Sequence, residues 1–391
     1  MAYPIRNELR RNLTLLVVLT LVSVFLLRLS TGYEKRVEKQ SVRCIGRVIE
    51  ADNTEIQQFG LVKTGDQKVR VKLESGPFEG RVVDGNNPLL GVMQRDKVFS
   101  VGDRIFVVLS LNETADEIVF VNPQDFYRLD LELSLFAIFA LTLIVFGGWT
   151  GAKALLSFVF AALMLWKVLV PCLLRGFDPI PVALGVVAVL TGVIIFLVAG
   201  FTRKGVVAFS GAFLGVLTSC LLAMYFTQAF RVHGAVLPFS ETLLYAGFGH
   251  LDLTRIYISA VFIAASGAVM DLAMDVAASM AEIVEKQQEI SRVELMRSGL
   301  RVGRAVVGTM TTTLLFAYSG GYITLLMAFM AQGVPVDNLF NLIYVATEVL
   351  KTLVGSFGLV MVAPFTALVG GWVFVPQQGF FWKKITVLEK N

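Results

Sequence analysis

The chain has 391 residues, of which 55% are hydrophobic and 16% charged, and its mean hydropathy is +0.71. Soluble domains carry about 25% charged residues, so this composition argues against a soluble protein and predicts a membrane protein. The formal net charge of +4 is too small to indicate nucleic-acid binding, and three cysteines without a CxxC pair give no sign of a disulfide scaffold.

The chain opens with a polar, basic stretch, and an apolar run follows from Leu13 to Leu29. Arg28 interrupts the end of the run and no small-x-small cleavage site follows, so an uncleaved signal anchor is favoured over a cleaved signal peptide. Arginines before the run predict a cytoplasmic N-terminus. We assign residues 1–32 to this N-terminus and the anchor helix.

Residues 33–128 differ sharply in composition, with charged, strand-like runs separated by turn signals. In KVRVKL, residues 68–73, basic and apolar side chains alternate as in a half-solvated strand. The pattern predicts a small β-barrel or sandwich without a catalytic constellation. The topology places this domain outside the cytoplasm.

The remainder consists mainly of apolar segments about 20 residues long, as a transmembrane helix requires. Together with the anchor they predict an α-helical integral membrane protein of about eight transmembrane helices, with a small all-β extracytoplasmic domain after the first helix. Basic residues concentrate in alternate connectors, so both termini, including the tail 375–391, are expected in the cytoplasm. Seven helices form the membrane domain 129–374, at 131–148, 152–174, 180–200, 205–229, 254–280, 303–330 and 339–372.

The loop at 230–253 is long and half-apolar. We predict a short helix from Ser240 to Tyr245, with Ser240 as its N-cap. His233 and His250 lie in the same loop, but their spacing matches no metal-ligand motif. No metal and no cofactor are expected.

The sixth predicted span carries Asp271 and Asp275, which share one helix face one turn apart. Asp271 lies about 25 Å from the start of the helix, in the inner half of the bilayer. An ionisable group at such a depth is costly and is therefore a candidate functional residue. For Asp275, a solvated position among the headgroups is an equal alternative.

The seventh span is rich in glycine and threonine, which allow helices to approach closely and to hydrogen-bond. The candidates are Gly299, Gly303 and Gly308 for helix packing, and Thr309, Thr312 and Thr313 for lining a relay or pore. Packing alone and a lining role are equally compatible with the sequence.

The eighth span contains Glu348 and Lys351, three residues apart on one helix face. Such an acid–base pair partly neutralises itself. It either stabilises the structure or joins an ion pathway with Asp271.

The sequence resembles the YibE/F-like family of bacterial multipass membrane proteins over nearly its whole length. Three segments carry the resemblance: SGAVMDLAMDVAASMAEI, LMRSGLRVGRAVVGTMTTTLLFAYSGG and NLIYVATEVLKTLVGSFGLVMVAPFTALVGG. The resemblance favours Asp271 over Asp275 as the functional acid and implies a location in the bacterial cytoplasmic membrane. The matching residues are Asp271, Glu282, Ser298, Gly299, Gly303, Arg304, Gly308, Thr309, Met310, Thr311, Thr313, Glu348 and Gly355.

Two positions depart from that family pattern. Ala305 stands where an acid commonly follows the Gly-Arg pair, and Thr312 stands where an asparagine is common. A mechanism that needs those two groups is therefore not expected in this chain. The family resemblance implies a class of protein and no substrate.

A weaker similarity concerns the permease halves of RND-type and SecDF-type proteins. They also combine an intramembrane acid, a basic cytoplasmic connector and a threonine-rich span, and in them the acid relays protons. This similarity is an analogy, since the number of spans does not obviously agree.

Two functions follow as hypotheses. The first is a transporter or permease that uses Asp271 as an ion or proton relay for an unknown small solute or ion. The second is a membrane scaffold or partner-binding protein, whose β-domain binds a ligand or protein outside the cell. An enzyme is not expected, because no nucleophile and base are paired. The expected partner is the lipid bilayer, without nucleic acid, and a homo-oligomer stays open.

Overall fold

A computed structural model describes residues 3–33, 41–112 and 116–375, with side chains from residue 14 onward. The described chain divides into two compact units, Gly32–Val145 and the remainder. The first unit is mainly β-structure and the second is helical.

The β unit is a curled antiparallel sheet with the strand order β2-β3-β1-β5-β6, and β4 pairs with β3. β4 and β6 approach each other without pairing, since a Cβ atom on Gly85 would lie 3.0 Å from Pro123 Cγ. The result is a β half-barrel. Its strands are β1 (Ser41–Asp52), β2 (Gln57–Phe59), β3 (Val62–Leu73), β4 (Val82–Leu90), β5 (Arg104–Leu111) and β6 (Ile118–Phe126).

The predicted alternation on β3 is confirmed. Val69, Val71 and Leu73 are buried in the half-barrel core, while the basic residues between them are exposed. Side chains on a strand point alternately to opposite faces, so the apolar ones fill the interior.

Gln67 is also fully buried in this core. Its amide nitrogen donates to the Phe99 carbonyl oxygen over 2.7 Å, and its amide oxygen accepts from the Phe99 backbone N–H over 3.0 Å. Burial of a polar side chain is tolerated because its hydrogen bonds are satisfied.

The helical unit contains both long apolar helices and short connecting ones. The helices are α1 (Tyr3–Arg28), α2 (Leu129–Met164), α3 (Val170–Leu174), α4 (Pro179–Ala199), α5 (Arg203–Ala229), α6 (Ser240–Tyr245), α7 (Leu253–Lys286), α8 (Arg292–Ser319), α9 (Ile323–Ala331), α10 (Val336–Asn341) and α11 (Ile343–Phe374).

Among the described residues, five helical segments are long and apolar enough to cross a membrane, or six if α8 and α9 form one bent span. The chain is therefore a mostly helical membrane protein. The predicted anchor lies in α1, whose apolar part Thr14–Arg28 is shorter than these segments. About eight crossings remain a prediction.

The spans predicted at 131–148 and 152–174 form a single helical stretch, Leu129–Leu174, of 46 residues. It has the length of about two crossings at 1.5 Å per residue. Gly148 interrupts it with φ 53° and ψ −127°, a conformation that favours glycine, and Leu165–Leu169 form a π-helical turn. The predicted break at the glycines is thus present as a kink within one stretch.

The predicted span 303–330 also differs. α8 begins eleven residues earlier, at Arg292, and it breaks before α9 with a bend of 64°. Gly320 and Gly321 lie at the break, where their low helix propensity weakens the helix.

Long helices that follow one another along the chain alternate in direction. α7 and α11 run parallel, because Tyr257 contacts Thr347 at one end and Met280 contacts Gly370 at the other. α8 is antiparallel to both helices, α5 is antiparallel to α11, and α4 forms an antiparallel hairpin with α5. α4, α7 and α11 therefore point one way and α5 and α8 the other, as the predicted succession of spans requires.

The short helix predicted in the loop at 230–253 is present, with the predicted bounds Ser240–Tyr245. Its predicted N-cap is wrong. Phe239 precedes the helix with φ 62°, and the Ser240 hydroxyl donates to the Ala235 carbonyl oxygen over 2.8 Å. Ser240 thus ties the helix to the preceding turn.

Candidate functional site

Asp271 and Asp275 lie on the side of α7 that faces away from the protein core. Both side chains are exposed, and no hydrogen bond or ion pair joins either one to another described residue. The opposite side of α7 is packed, with Leu272 and Val276 fully buried. We call the exposed side the acid face of α7; it comprises Ala260, Ala264, Gly267, Asp271 and Asp275.

An acid face of this kind is costly against lipid. Placing a charged aspartate at the centre of a bilayer costs about 2.5–3.5 kcal/mol on insertion scales. Polar groups, water or a second protein surface at this face would reduce that cost.

The threonines of α8 are exposed as well, and their hydroxyls bond within their own helix. Thr312 donates to the Gly308 carbonyl oxygen over 3.2 Å, and Thr313 donates to that of Thr309 over 3.0 Å. Thr309 donates to the Val306 carbonyl oxygen over 2.9 Å. The structure therefore does not bring these hydroxyls into contact with Asp271.

Two of the three glycines predicted to pack helices lie at close contacts between helices in the structure. A Cβ atom on Gly299 would lie 2.6 Å from Met280 Sδ, and one on Gly303 would lie 2.5 Å from Ala363 Cβ. An added Cβ would force α8 away from α11 at Gly303, whereas at Gly299 the flexible Met280 side chain would have to shift. Gly308, in contrast, would have no described heavy atom within 4 Å of an added Cβ. Its expected packing role is not found within one copy of the chain.

The same contacts fix the relative depth of the two helices. A Cβ atom on Gly303 would lie 3.7 Å from Val276 Cγ2. Asp275 and Arg304 are the adjacent residues, so they lie at nearly the same level. Asp271, about one turn away, is level with the turn that contains Gly308.

Glu348 and Lys351 form the ion pair expected from their spacing. Lys351 Nζ lies 2.7 Å from Glu348 Oε2, and about three quarters of each side chain is shielded. This oxygen has no hydrogen-bond partner among the described residues, although it lies within ion-pair distance of the Lys351 ammonium group. The pair is thus close, with part of its hydrogen-bonding capacity unused.

Two tyrosines complete the surroundings of this pair. Lys351 Nζ lies 5.5 Å above the centre of the Tyr318 ring, a favourable cation–π distance. The Tyr257 hydroxyl donates to the carbonyl oxygen of Thr347, the residue before Glu348, over 2.8 Å. We call Glu348, Lys351, Tyr257 and Tyr318 the α11 polar cluster. The Tyr318 hydroxyl is buried and has no hydrogen-bond partner among the described residues.

No sequence pattern marks Tyr257 or Tyr318 as members of a polar site. Each is a lone aromatic residue in an apolar helix, which indicates core packing as readily as a polar site. Their role depends on the pairing of α7 and α8 with α11, and this pairing is a tertiary property.

A salt bridge outside the cluster joins the starts of α4 and α7. Arg255 donates to both carboxylate oxygens of Asp178, over 2.9 and 2.6 Å. This bonding holds the pKa of Asp178 below its usual range. Asp178 also caps α4 by accepting from the Ile180 N–H over 3.1 Å.

Metal binding has no support in the part of the chain that the structure describes, where no three His, Cys, Asp or Glu side chains come together. What the geometry offers is proton or ion chemistry: two unpaired carboxylates on α7 and an acid–base pair flanked by phenols on α11.

Comparison with known proteins identifies one relationship. No curated protein and no solved structure matches the chain. The family described as YibE/F-like protein matches residues 135–376, which leaves out the predicted anchor and the β half-barrel. The match is thus shorter than the nearly full-length resemblance expected from the sequence. Because it covers well over half of the chain, the protein belongs to the YibE/F-like family.

Proposed function

We propose that the protein is a transporter or permease that moves a small solute or ion and uses Asp271 as a proton or ion relay. The observation that carries this proposal is the succession of polar groups at different depths of three packed helices. Asp275 and Asp271 lie on α7, the threonines follow on α8, and the α11 polar cluster lies beyond them.

The succession has the right length for a path through a bilayer. From Asp275 to Tyr257, α7 extends about 27 Å, close to the ~30 Å thickness of the hydrocarbon core. Tyr318 marks an intermediate level, since its hydroxyl would lie 3.1 Å from a Cβ atom on Gly355. Polar groups therefore occur at successive levels of the same helix bundle.

The residues have different roles in this proposal. Asp271 takes up and releases the proton or ion, because its carboxylate has no partner among the described residues. Glu348 and Lys351 form a second station, where a proton added to the carboxylate would weaken the ion pair. No bond to a substrate is made or broken, so the protein would not be an enzyme. The cytoplasmic membrane, with both termini inside, is the location proposed from the connector charges.

The test is whether water reaches the level of Asp271. Cysteines at Thr309 and Thr313 report on it, because both side chains are exposed on α8, at the level of Asp271 and one turn beyond it. We expect both to react in intact membranes with a charged, membrane-impermeant thiol reagent. A cysteine at Leu221, an exposed apolar position on α5, is the control that should stay unlabelled. Labelling of neither test position above the Leu221 control would overturn the transport proposal.

A second measurement concerns the carboxylate itself. In proteoliposomes with an entrapped pH indicator, Asp271→Asn should abolish proton movement that the wild-type protein supports. Glu282→Gln is the matched control, because Glu282 is exposed near the end of α7 and pairs only with Lys286. Wild-type-like proton movement in Asp271→Asn would remove Asp271 from the mechanism.

One observation favours the alternative of a partner-binding scaffold. A groove of about 670 Å³ opens on the half-barrel between β4 and β6, lined by charged residues on one side and by apolar residues of β6 on the other. Val119 and Phe120 in this lining are 69% and 52% exposed. A scaffold predicts a dry Asp271, so the thiol labelling separates the two functions.

A further inference from the structure

Two exposed faces of the helical unit carry complementary groups and have no partner among the described residues. The first is the acid face of α7. The second, which we call the outer face of α8, comprises Arg304, Ala305, Gly308 and Thr312, all exposed. No ion pair or hydrogen bond joins Arg304 to another described residue.

We propose that the acid face of α7 in one copy of the chain packs against the outer face of α8 in a second copy. In this interface Arg304 of one copy pairs with Asp275 of the other. The proposal rests on these two faces and does not depend on the transport function.

Equal depth is the first argument. All copies of a membrane protein insert in the same orientation, so a symmetric oligomer brings together surfaces at the same level. Asp275 and Arg304 lie at the same level, as the contact between Val276 and Gly303 establishes. Opposite charges therefore meet when the faces of two copies are apposed.

Shape is the second argument. Gly267 on α7 and Gly308 on α8 both face open space, and Ala264 and Ala305 extend the same two faces with small side chains. Small residues on a helix face let a second helix approach closely in a membrane. Gly308 thus obtains in the oligomer the packing role that it lacks within one copy.

The partners of Asp271 follow from the same arrangement. Counting from the level of Val276 and Gly303, Asp271 lies opposite Gly308 and about one turn from Thr312. The acid that costs most against lipid would thereby border the glycine–threonine surface of the other copy in place of lipid.

The decisive experiment uses charge reversal in two differently tagged full-length copies. Asp275→Arg alone places arginine against arginine at each contact between copies, and Arg304→Asp alone places acid against acid. When the two variants are co-expressed, a mixed oligomer restores opposite charges at every contact. A pair made within one copy would stay mismatched in both chains.

We expect the mixed pair to be captured at least about tenfold more than either variant with itself, since like charges across an interface disfavour association. Equal capture of mixed and like pairs would overturn the proposal and assign the two faces to lipid or to a different protein.

Cross-linking provides a test without any change of charge. A copy with Gly267→Cys and a differently tagged copy with Thr312→Cys should be joined by a short bis-maleimide in intact membranes. Leu221→Cys in place of Thr312→Cys is the control at a comparable depth on α5. Linkage no stronger than with Leu221→Cys would contradict the interface, even if the charge variants failed to fold.

Discussion

Gly303 and Ala363 mark a close approach of α8 to α11, where a Cβ atom on the glycine would lie 2.5 Å from that of the alanine. Gly303→Ala should therefore force the helices apart and destabilise the protein by about 1–3 kcal/mol, the usual cost of overpacking. The measurement is unfolding in detergent by a denaturing surfactant or by heat.

Gly185→Ala is the control, since Gly185 also lies in a long apolar helix, α4, and meets open space. There the gain in helix propensity, up to about 1 kcal/mol, should leave the fold as stable or more stable. If both variants lost the same stability, the close packing at Gly303 would not be the cause.

Lys351 neutralises the largely shielded carboxylate of Glu348. Removing the lysine should therefore lower the free energy of unfolding by more than the intact ion pair contributes to it. Lys351→Met should destabilise the protein by roughly 2 kcal/mol, because it leaves Glu348 charged without its cation. Adding Glu348→Gln should recover most of that loss. A double-mutant cycle on detergent-solubilised protein measures the coupling, and simple additivity would show that the two residues are independent.

Acid should weaken the link between α4 and α7. Arg255 lowers the pKa of Asp178 in the folded protein. The stabilisation by this salt bridge is therefore present above the pKa of Asp in the unfolded chain, about 3.9, and is lost as the pH falls through the lower pKa of the folded state. Both side chains are more than a third exposed, at 38% and 46%, which limits the effect to about 1 kcal/mol or less.

Asp178→Asn isolates that charge effect, because asparagine is as good an N-cap as aspartate. Wild type should be the more stable protein at neutral pH, and the difference should shrink below about pH 4 and vanish once the pH is below the lowered pKa of folded Asp178. Melting temperatures across this range provide the measurement. A difference that persisted at the lowest pH would point to the cap and away from the ion pair.

Gln67 satisfies both backbone groups of Phe99, so its replacement by an apolar residue should leave two buried polar groups unpaired. Gln67→Leu is expected to cost about 2–4 kcal/mol and to open the half-barrel to protease in the full-length protein. Gln58→Leu is the control, since Gln58 is exposed and only donates to the Gly60 carbonyl oxygen. Equal protease resistance in both variants would contradict the role of Gln67.

Local patterns predicted much of the fold. The alternation from Lys68 to Leu73 is a property of neighbouring residues, and the structure confirms the strand and its buried face. Likewise, Asp271 and Asp275 had to share a helix face because of their spacing. Apolar runs located both ends of α4, α5 and α11 within four residues, and the start of α7 within one residue, while its end lies six residues later than predicted.

The environment of those residues could not be predicted in the same way. The α8 threonines were candidates for lining a relay or for packing alone, and in the structure their hydroxyls bond to their own helix while Asp271 faces outward. Which side of a helix is covered depends on its neighbours, and an all-apolar helix gives no periodic signal for it. Tyr257 and Tyr318 escaped prediction for the same reason.

The parallel course of α4, α7 and α11 has a consequence for where the two ends of this helix bundle lie. If these helices cross the membrane, they all enter from one side and leave on the other. The residue before α4, Asp178, and the residue after α11, Val375, then lie in different compartments, whatever the total number of crossings. A ligand site near the first and a regulatory contact near the second would be separated by the whole bilayer, and only a movement of the helices themselves could connect them.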